Sequence, residues 1–342
     1  MNNSDFNSLN LNNNQQLFNI IKKSFLNSNL SNSTMIYGEK GIGKSTFVKY
    51  LVDKIFNNFS DYKNDFNSSK HTRLVLNNTH PNFIVISKLI DEKSKKLLNN
   101  ITVDQIRKLE SFIYQSSLLE LPKIILIDSA DDLNISASNA LLKILEEPKQ
   151  NTFFFLISHH PSLLIPTITS RCIKFKFLKP TFDEFKKILL LNGDDLINEE
   201  EIEYLYYLSN GSPGIALDLF SLDTFNTFDQ FTEICMENKG LSNNIIEFSS
   251  ELSKRNNDQF SVFLIIIKFI LSNILKINLG IDIKKNIGIK LSEKLYEISK
   301  YLNNYSCFKT LDYLHEYENK LFTFNLDKRI FTINLFSKII SN

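Results

Sequence analysis

The feature that most constrains this chain is a glycine-rich segment, Gly38-Glu39-Lys40-Gly41-Ile42-Gly43-Lys44-Ser45. It fits the pattern G-x-x-x-x-G-K-[S/T], and it lies between a strand-like run (TMIY) and a helical pattern (TFVKYLVDKIF), as that motif requires. The flanking pattern disfavours the alternative, a chance glycine-rich turn. Backbone N–H groups of such a loop point at phosphates, the lysine reaches the β- and γ-phosphates, and the hydroxyl holds Mg²⁺. The sequence therefore predicts ATP and Mg²⁺ binding by Gly38, Gly41, Gly43, Lys44, Ser45 and Thr46.

The first half of the chain alternates short apolar runs with helical patterns. Continuous apolar runs are typical of strands that are covered on both faces, and strand–helix alternation predicts a parallel sheet with flanking helices. The predicted strands are Thr34–Tyr37, Phe83–Ser87, Lys123–Asp128, Thr152–Ile157 and Cys172–Phe177. The predicted helices are Ser45–Phe56, Val103–Gln115 and Ser136–Glu147. The polar stretch Asn57–Lys70 is predicted to be an exposed loop.

After Pro180 almost every pattern is helical. The predicted helices are Thr181–Leu191, Glu199–Ser209, Ser212–Ser221, Asp258–Ile277, Lys290–Tyr301 and Cys307–Leu321, with a domain junction near Asn238–Asn244. The apolar stretch Phe260–Leu279 is interrupted by Lys268, Ser272, Asn273 and Lys276. A bilayer span needs about 20 predominantly apolar residues. We therefore expect a buried core helix here and no membrane association.

Composition excludes some classes of protein. The 342 residues carry a net charge of only +1, whereas a chain that binds DNA mainly by itself usually has a basic excess. The only cysteines are Cys172, Cys235 and Cys307. Their odd number and wide spacing argue against a disulfide framework and favour a reducing cytoplasm. The Asn-rich N-terminus lacks the pattern of a signal peptide.

A second motif, Lys123–Asp128, is an apolar strand that ends in an aspartate. This arrangement positions Mg²⁺ in phosphate-loop proteins, although an ordinary buried strand with a polar end would look similar. In hydrolytic versions the next residue is a glutamate that orients the attacking water, but here it is Ser129. Asp131 and Asp132 are either surface charges or substitutes for that base. Because no general base is placed, we expect intrinsic ATP hydrolysis to be weak or absent.

These motifs form part of an ordered series: GEKGIGKST, THPNF, ITVDQIRKL, KIILIDSADDLN, NALLKILEEP and FFFLISHHPSLLIPTITSRCIKFKF. Over residues 15–220 the chain resembles bacterial clamp-loader subunits of the γ/τ and δ′ type. The resemblance implies an α/β P-loop AAA+ domain with a five-stranded parallel sheet (1–179), a helical lid (180–225) and an all-α C-terminal collar (226–342). It also implies a five-membered ring of δ, δ′ and γ/τ subunits that opens the sliding clamp and places it on primed DNA.

The resemblance also assigns residues. Ser158 matches a position that reads the γ-phosphate, although a local turn bond would equally explain a serine there. Arg171 matches the SRC arginine that reaches a neighbouring subunit's ATP, the alternative being a structural ion pair. Many relatives carry a four-cysteine zinc module before the HP dipeptide at His80. Val52–Thr79 contains no cysteine, so we expect no zinc.

Three departures favour the δ′ type over the motor subunits. Ser129 replaces the glutamate, Gly211-Ser212-Pro213-Gly214 lacks the arginine expected in that segment, and the chain has a single collar region. The sequence thus predicts a scaffold that donates Arg171 in trans. The alternatives are a γ/τ-type motor that hydrolyses ATP itself and a P-loop ATPase outside replication.

Overall fold

A computed structural model describes residues 12–60, 68–90, 98, 100–115, 121–192, 198–222, 224–237 and 242–340. The chain divides into two compact units, residues 1–184 and 185–342. The strands of the first unit are β1 (Ser33–Tyr37), β2 (Phe83–Ser87), β3 (Lys123–Asp128), β4 (Thr152–Ser158) and β5 (Ile173–Lys176). Its helices are α1 (Gln15–Leu26), α2 (Lys44–Ser60), α3 (Ser68–Leu76), α4 (Val103–Tyr114), α5 (Ile135–Glu146) and α6 (Pro166–Ser170).

The strands form one parallel sheet in the order β2-β3-β4-β1-β5. Neighbouring side chains of a strand point to opposite faces, and each face has its own core. Ile124, Leu126 and Phe155 pack with buried residues of α1 and α2, whereas Ile125, Ile127 and Phe154 pack with those of α4 and α5. This two-sided burial explains why the central strands are continuous apolar runs. The five-stranded parallel sheet with helices on both faces confirms the predicted α/β fold.

The strand order determines which residues meet. Because all the strands are parallel, their carboxyl ends share one edge of the sheet, and ligands of such sheets bind there. The loop after β1, the Asp128 end of β3 and the Ser158 end of β4 all lie at this edge. Since β4 separates β1 from β3, the residues that follow β4 lie between the phosphate loop and Asp128.

At one border of the sheet, β5 pairs with β1 alone. Its side chains are largely exposed, among them those of Lys174 and Lys176.

The region after the sheet is helical, as predicted. Its helices are α7 (Phe182–Asn192), α8 (Glu199–Leu208), α9 (Pro213–Ser221), α10 (Thr224–Glu237), α11 (Asn243–Lys254), α12 (Asn257–Asn278), α13 (Lys284–Ile287), α14 (Ile289–Ser299), α15 (Asn304–Thr323) and α16 (Lys328–Ile340). Within the part of the chain that the structure describes, one helix, over Gln259–Asn278, is long and apolar enough to cross a membrane, but 61% of its apolar stretch is buried within the structure. Phe263, Ile267 and Ile270 of this helix are fully buried in the core of the second unit.

The predicted strands agree with the structure to within one residue at each end. The prediction of a loop over Asn57–Lys70 is wrong where the structure describes it, because α2 continues to Ser60 and α3 begins at Ser68; residues 61–67 lie outside the described part. The Asn57 amide donates to the buried Asp53 carboxylate one helical turn earlier, so this polar residue continues the helix. Of the predicted junction Asn238–Asn244, residues 238–241 lie outside the described part, and α11 begins at Asn243. The division between lid and collar stays a prediction.

Candidate nucleotide-binding site

The phosphate loop joins β1 to α2 at the carboxyl edge of the sheet. Gly43 has a φ of +95°, and a Cβ placed there would meet nothing within 4 Å, so this part of the loop faces open space. At Gly38 the constraint is close packing, because a Cβ would lie 2.7 Å from the carbonyl oxygen of Phe177. The N–H of Gly38 also donates to the carbonyl of Ser158, 3.2 Å away, which ties the loop to the end of β4.

Lys44 is buried inside this loop and is 3% exposed. Its Nζ donates to the carbonyl oxygens of Gly38 at 2.7 Å and Glu39 at 2.5 Å. Burial lowers the pKa of Lys44 to about 8, although Asp128, Asp131 and Glu39 oppose the shift. A bound polyphosphate would supply the negative charge that favours the ammonium form. The loop therefore fits an anionic phosphate group, with Ser45 and Thr46 following it at the start of α2.

Ser129, the residue after Asp128, has no carboxylate, and its hydroxyl is used in a structural hydrogen bond. Ser129 is 2% exposed, and its hydroxyl donates to Oδ2 of Asp132 at 2.7 Å. Lys88 binds the other oxygen of Asp132 at 2.9 Å. Burial raises the pKa of Asp132, but the bonds from Lys88 and Ser129 outweigh it and hold the pKa below its usual value. Asp132 is thus a half-buried, doubly bonded anion, and the interpretation of it as a surface charge is wrong.

Asp131 organises the end of β4. Its carboxylate accepts hydrogen bonds from the Ser158 hydroxyl at 2.9 Å, the His159 N–H at 2.6 Å and the His160 N–H at 3.0 Å. Asp131 is also not a free surface charge. Because the Ser158 hydroxyl has a single proton, a hydroxyl that donates to Asp131 has none left to donate to a phosphate.

Arg171 lies apart from this cluster. It precedes β5 and is therefore at the amino edge of the sheet, opposite the phosphate loop. Its guanidinium donates to Oε1 of Glu146, at the end of α5, and to the carbonyl of Thr167 at 2.9 Å. The Arg171 side chain is 34% exposed. Topology thus separates Arg171 from the chain's own phosphate loop, and its predicted role in a neighbouring subunit stays a prediction.

A buried imidazole pair lies beside α2. The backbone N–H of Asn82 donates to Nδ1 of His80, so the proton of a neutral His80 is on Nε2, 2.9 Å from Nδ1 of His71. The ring of Phe56 stacks on His80 with centroids 4.3 Å apart. Burial and the neighbouring His71 lower the pKa of His80 to about 4.

The described residues offer few groups for metal or thiol chemistry. Among them no group of three or more His, Cys, Asp or Glu side chains is arranged to hold a metal ion. The expectation of no zinc stays a prediction. Cys172, Cys235 and Cys307 are buried free thiols, and burial raises the pKa of each.

Three residues of interest could not be assigned from the sequence: Asp131 as the organiser of the β4 end, His159 beside the loop, and Glu146 as the partner of Arg171. The only sequence signal for these residues is that each lies next to a recognised motif. Their roles depend on contacts between residues that are distant in the sequence. His159 and Asp131 are 28 positions apart, and Arg171 and Glu146 are 25 positions apart.

Comparison with known proteins gives consistent matches for the first half of the chain. Residues 13–181 match the sequence model of the family described as "DNA polymerase III, delta subunit". The DNA polymerase III subunit delta′ of Pseudomonas aeruginosa is 35% identical over 179 residues, which is 52% of each chain. The protein of the same name from Escherichia coli is 33% identical over 43% of this chain and 42% of its own. That of Bacillus subtilis is 30% identical over 48% of this chain and 46% of its own.

These matches thus span about half the length of the relatives. Among solved structures, a gamma subunit-related protein from Thermotoga maritima covers 96% of this chain and 99% of its own, with a TM-score of 0.41 and 17% identity. The fold assignment rests instead on the strand order and on the position of the phosphate loop after β1. The family model and the named relatives confirm the resemblance inferred from the motifs. Residues 13–181 of this chain are thus similar to the family described as "DNA polymerase III, delta subunit", and the relatives matched over this part are named DNA polymerase III subunit delta′.

Proposed function

We propose that this chain is a δ′ subunit of a bacterial clamp loader in the cytoplasm. With δ and γ/τ subunits it loads the sliding clamp onto primed DNA, contributing a scaffold and Arg171. The observation that carries this proposal is the match of residues 13–181 to the family described as "DNA polymerase III, delta subunit", together with relatives named subunit delta′ that are 30–35% identical over 43–52% of this chain. A P-loop ATPase outside replication would not account for these matches.

Within this assembly the chain binds ATP·Mg²⁺ but does not turn it over efficiently. Lys44 binds the phosphates, and Ser45 and Asp128 hold Mg²⁺, which neutralises phosphate charge when bound. The contacts around Asp128 support the absence of efficient ATP hydrolysis. Ser129 occupies the position of the missing base, and its hydroxyl is bonded to Asp132. Asp131 and Asp132 both accept hydrogen bonds from neighbouring groups, so each carboxylate already has a structural use in holding Ser129 or the end of β4.

The test follows binding and turnover in one sample of the purified chain. A fluorescent ATP analogue should bind to the wild type, and Lys44→Ala should abolish binding because it removes the cation of the loop. Lys108→Ala, an exposed lysine of α4, is the control and should bind normally. Steady-state ATP hydrolysis should stay near background. Turnover that disappears in Lys44→Ala would favour the γ/τ-type motor instead.

Assembly is tested separately. The chain should co-purify with the δ and γ/τ subunits of the same organism, and failure to associate with either would contradict the clamp-loader role.

A further inference from the structure

A cavity of about 430 Å³ opens on the surface of the second unit, between the α15–α16 turn and the junction of α11 with α12. Its walls include Leu321 and Phe322 at the end of α15, Leu326 in the turn, and Ser253 and Asn257 from α11 and α12. Leu321 belongs to the core of the unit, so the cavity has an apolar wall that continues the core to the surface. Ligand pockets in proteins have volumes of about 300–1,000 Å³. The cavity is therefore large enough to receive a side chain of another molecule.

The α15–α16 turn is held in place by backbone hydrogen bonds. The N–H of Phe324 donates to the carbonyl of Lys320 at 2.9 Å. The N–H of Leu326 donates to the carbonyl of Leu321 at 3.0 Å, and Asn325 has a φ of +48°. This combination is a common way to end a helix, with the left-handed residue just after its last turn. Because the turn is fixed in the free chain, a partner that binds there has little conformational entropy to remove.

Large apolar side chains are exposed on this turn and on the start of α16. Phe324 is 70% exposed, Leu326 40% and Ile330 58%. Single exposed apolar residues are normal on protein surfaces, whereas a group of them is typical of an interaction site. These three residues lie within one short segment that also forms a wall of the cavity, which favours an interaction site.

The charges that line the cavity leave two cations without an ion pair. Lys328, Arg329 and Asp327 all contribute to its lining. The Asp327 carboxylate accepts the N–H of Ile330 at 3.0 Å and so caps α16. The Lys328 ammonium donates to the carbonyl of Arg255 at 2.7 Å, which satisfies a hydrogen bond but supplies no negative charge. The Arg329 guanidinium is exposed and has no hydrogen-bond or ion-pair partner within the part of the chain that the structure describes.

We propose that this cavity binds an acidic peptide segment of a partner protein that carries a large apolar side chain. The apolar side chain packs against Leu321 and Leu326, and carboxylates of the segment pair with Lys328 and Arg329. A guanidinium suits this role because its planar donors can bind a carboxylate with two parallel hydrogen bonds. A nucleic acid would also supply negative charge, but binding by a nucleic acid usually requires a longer basic groove that follows the phosphates. The proposal does not depend on nucleotide binding by the first unit.

The experiment measures fluorescence anisotropy with the purified full chain. The probe is a short fluorescein-labelled peptide in which a Leu-Phe pair is flanked by Asp and Glu residues. One comparison peptide has Lys in place of the acidic residues, and another has Gly-Ser in place of Leu-Phe. We expect the wild type to bind the acidic Leu-Phe peptide at least about tenfold more tightly than either comparison peptide, because only this peptide supplies both charge-assisted hydrogen bonds and apolar burial.

Two variants test the two halves of the site. Arg329→Glu reverses the charge, and it should fold normally because an acidic residue is favourable in the first turn of a helix. It should weaken binding of the acidic peptide at least about tenfold and strengthen binding of the lysine peptide. Leu326→Ser should weaken binding of the acidic peptide without changing its preference over the lysine peptide. Equal melting temperatures would show that each variant folds like the wild type.

The matched control is Lys309→Glu, a charge reversal at an exposed position of α15. Lys309 is about 18 Å along the helix from Leu321, and about 0.15 M salt screens charges over about 8 Å. This variant should therefore match the wild type. Equal affinity of the wild type for the three peptides, or an equal loss in Lys309→Glu, would overturn the proposal. Displacement of the peptide by single-stranded oligothymidylate, with binding of the oligonucleotide lost in Arg329→Glu, would assign the surface to nucleic acid and overturn it as well.

Discussion

The guanidinium of Arg171 and the carboxylate of Glu146 form an ion pair of 2.5 Å between two sequence motifs of the chain, SRC and LEEP. The pair is partly exposed, with 34% of the arginine and 48% of the glutamate side chain accessible. Exposed ion pairs contribute about 0–1 kcal/mol, because water screens the charges. Arg171 can therefore leave Glu146 for another anion at little cost in stability.

The first prediction concerns this exchange. Arg171→Ala should change the free energy of unfolding by no more than about 1 kcal/mol, yet reduce DNA-stimulated ATP hydrolysis in a reconstituted assembly by at least about tenfold. Arg107→Ala is the control, since Arg107 is also exposed and pairs with Asp104 at 3.2 Å. Assembly should be intact in both variants. Unchanged hydrolysis with Arg171→Ala would make the trans role wrong.

The second prediction tests Asp131 as the organiser of the β4 end. Asp131→Asn removes the charge that accepts bonds from Ser158, His159 and His160. Urea unfolding should show a loss of about 1–3 kcal/mol, because the amide has one oxygen to accept what two charged oxygens accepted. Nucleotide affinity should also fall, because the end of β4 bonds to the phosphate loop through Ser158 and Gly38 and would be held less firmly. Glu110→Gln, at an exposed position of α4, should be neutral in both measurements. A fully stable Asp131→Asn variant would refute this organising role.

The third prediction concerns Lys123, the first residue of β3. It is 8% exposed, and its Nζ donates to the carbonyls of Phe112 and Ile113, at 2.5 and 3.0 Å, and to that of Gln115. These are carbonyls at the end of α4, where a cation is favourable. Lys123→Met should lower the free energy of unfolding by about 2–3 kcal/mol and increase hydrogen exchange in the last turn of α4.

The matched control is Lys149→Met. Lys149 contacts only one of these carbonyls, that of Ile113, at 3.3 Å. Lys149→Met should lower the free energy of unfolding by less than about 1 kcal/mol. Equal effects of the two substitutions would show that Lys123 does not cap the helix.

The fourth prediction is a pH dependence from His80. Its pKa is about 4 in the folded chain, against an ordinary value of 6.5. Between these values the unfolded chain binds a proton that the folded chain does not, so stability falls as pH decreases from about 6.5 to 4. The maximum loss is about 3 kcal/mol, at 1.36 kcal/mol per pKa unit.

Urea unfolding at pH 7.5 and 5 should show this loss in the wild type. His80→Gln should be less stable at pH 7.5, because it changes the bond to His71, and its stability should depend less on pH. His315→Gln, an exposed histidine of α15, should retain the wild-type slope. An unchanged slope in His80→Gln would assign the pH dependence to other groups.

The strands and the phosphate loop could be predicted because their signals are local. β3 is an unbroken apolar run, and the loop motif fixes its glycines and Lys44 by spacing alone. The helix α1 was missed in an Asn-rich stretch, although Phe18, Ile21 and Phe25 have helical spacing and are buried. Its start is fixed by a contact with a residue distant in the sequence. The Asn14 side-chain amide donates a hydrogen bond to the Leu178 carbonyl and accepts one from the Leu178 N–H.

The polar contacts of the site could not be predicted either, because they also join residues that are distant in the sequence. Whether Asp131 faces water or accepts bonds from the β4 end depends on how β3 and β4 align in the sheet. The sequence shows the acidic pair after β3 but not which carboxylate meets which donor. Lys123 similarly reads as an ordinary polar strand end until the last turn of α4 packs against it.

The border strand β5 has a consequence for how the chain behaves at high concentration. An unpaired strand edge can template association with a second molecule, and lysines on such an edge oppose it because like charges would meet. Lys174 and Lys176 stand exposed on β5, two residues apart and so on the same face of the strand. We therefore expect these lysines to oppose edge-to-edge association of β5 between molecules and to keep concentrated solutions of the protein from aggregating through this border.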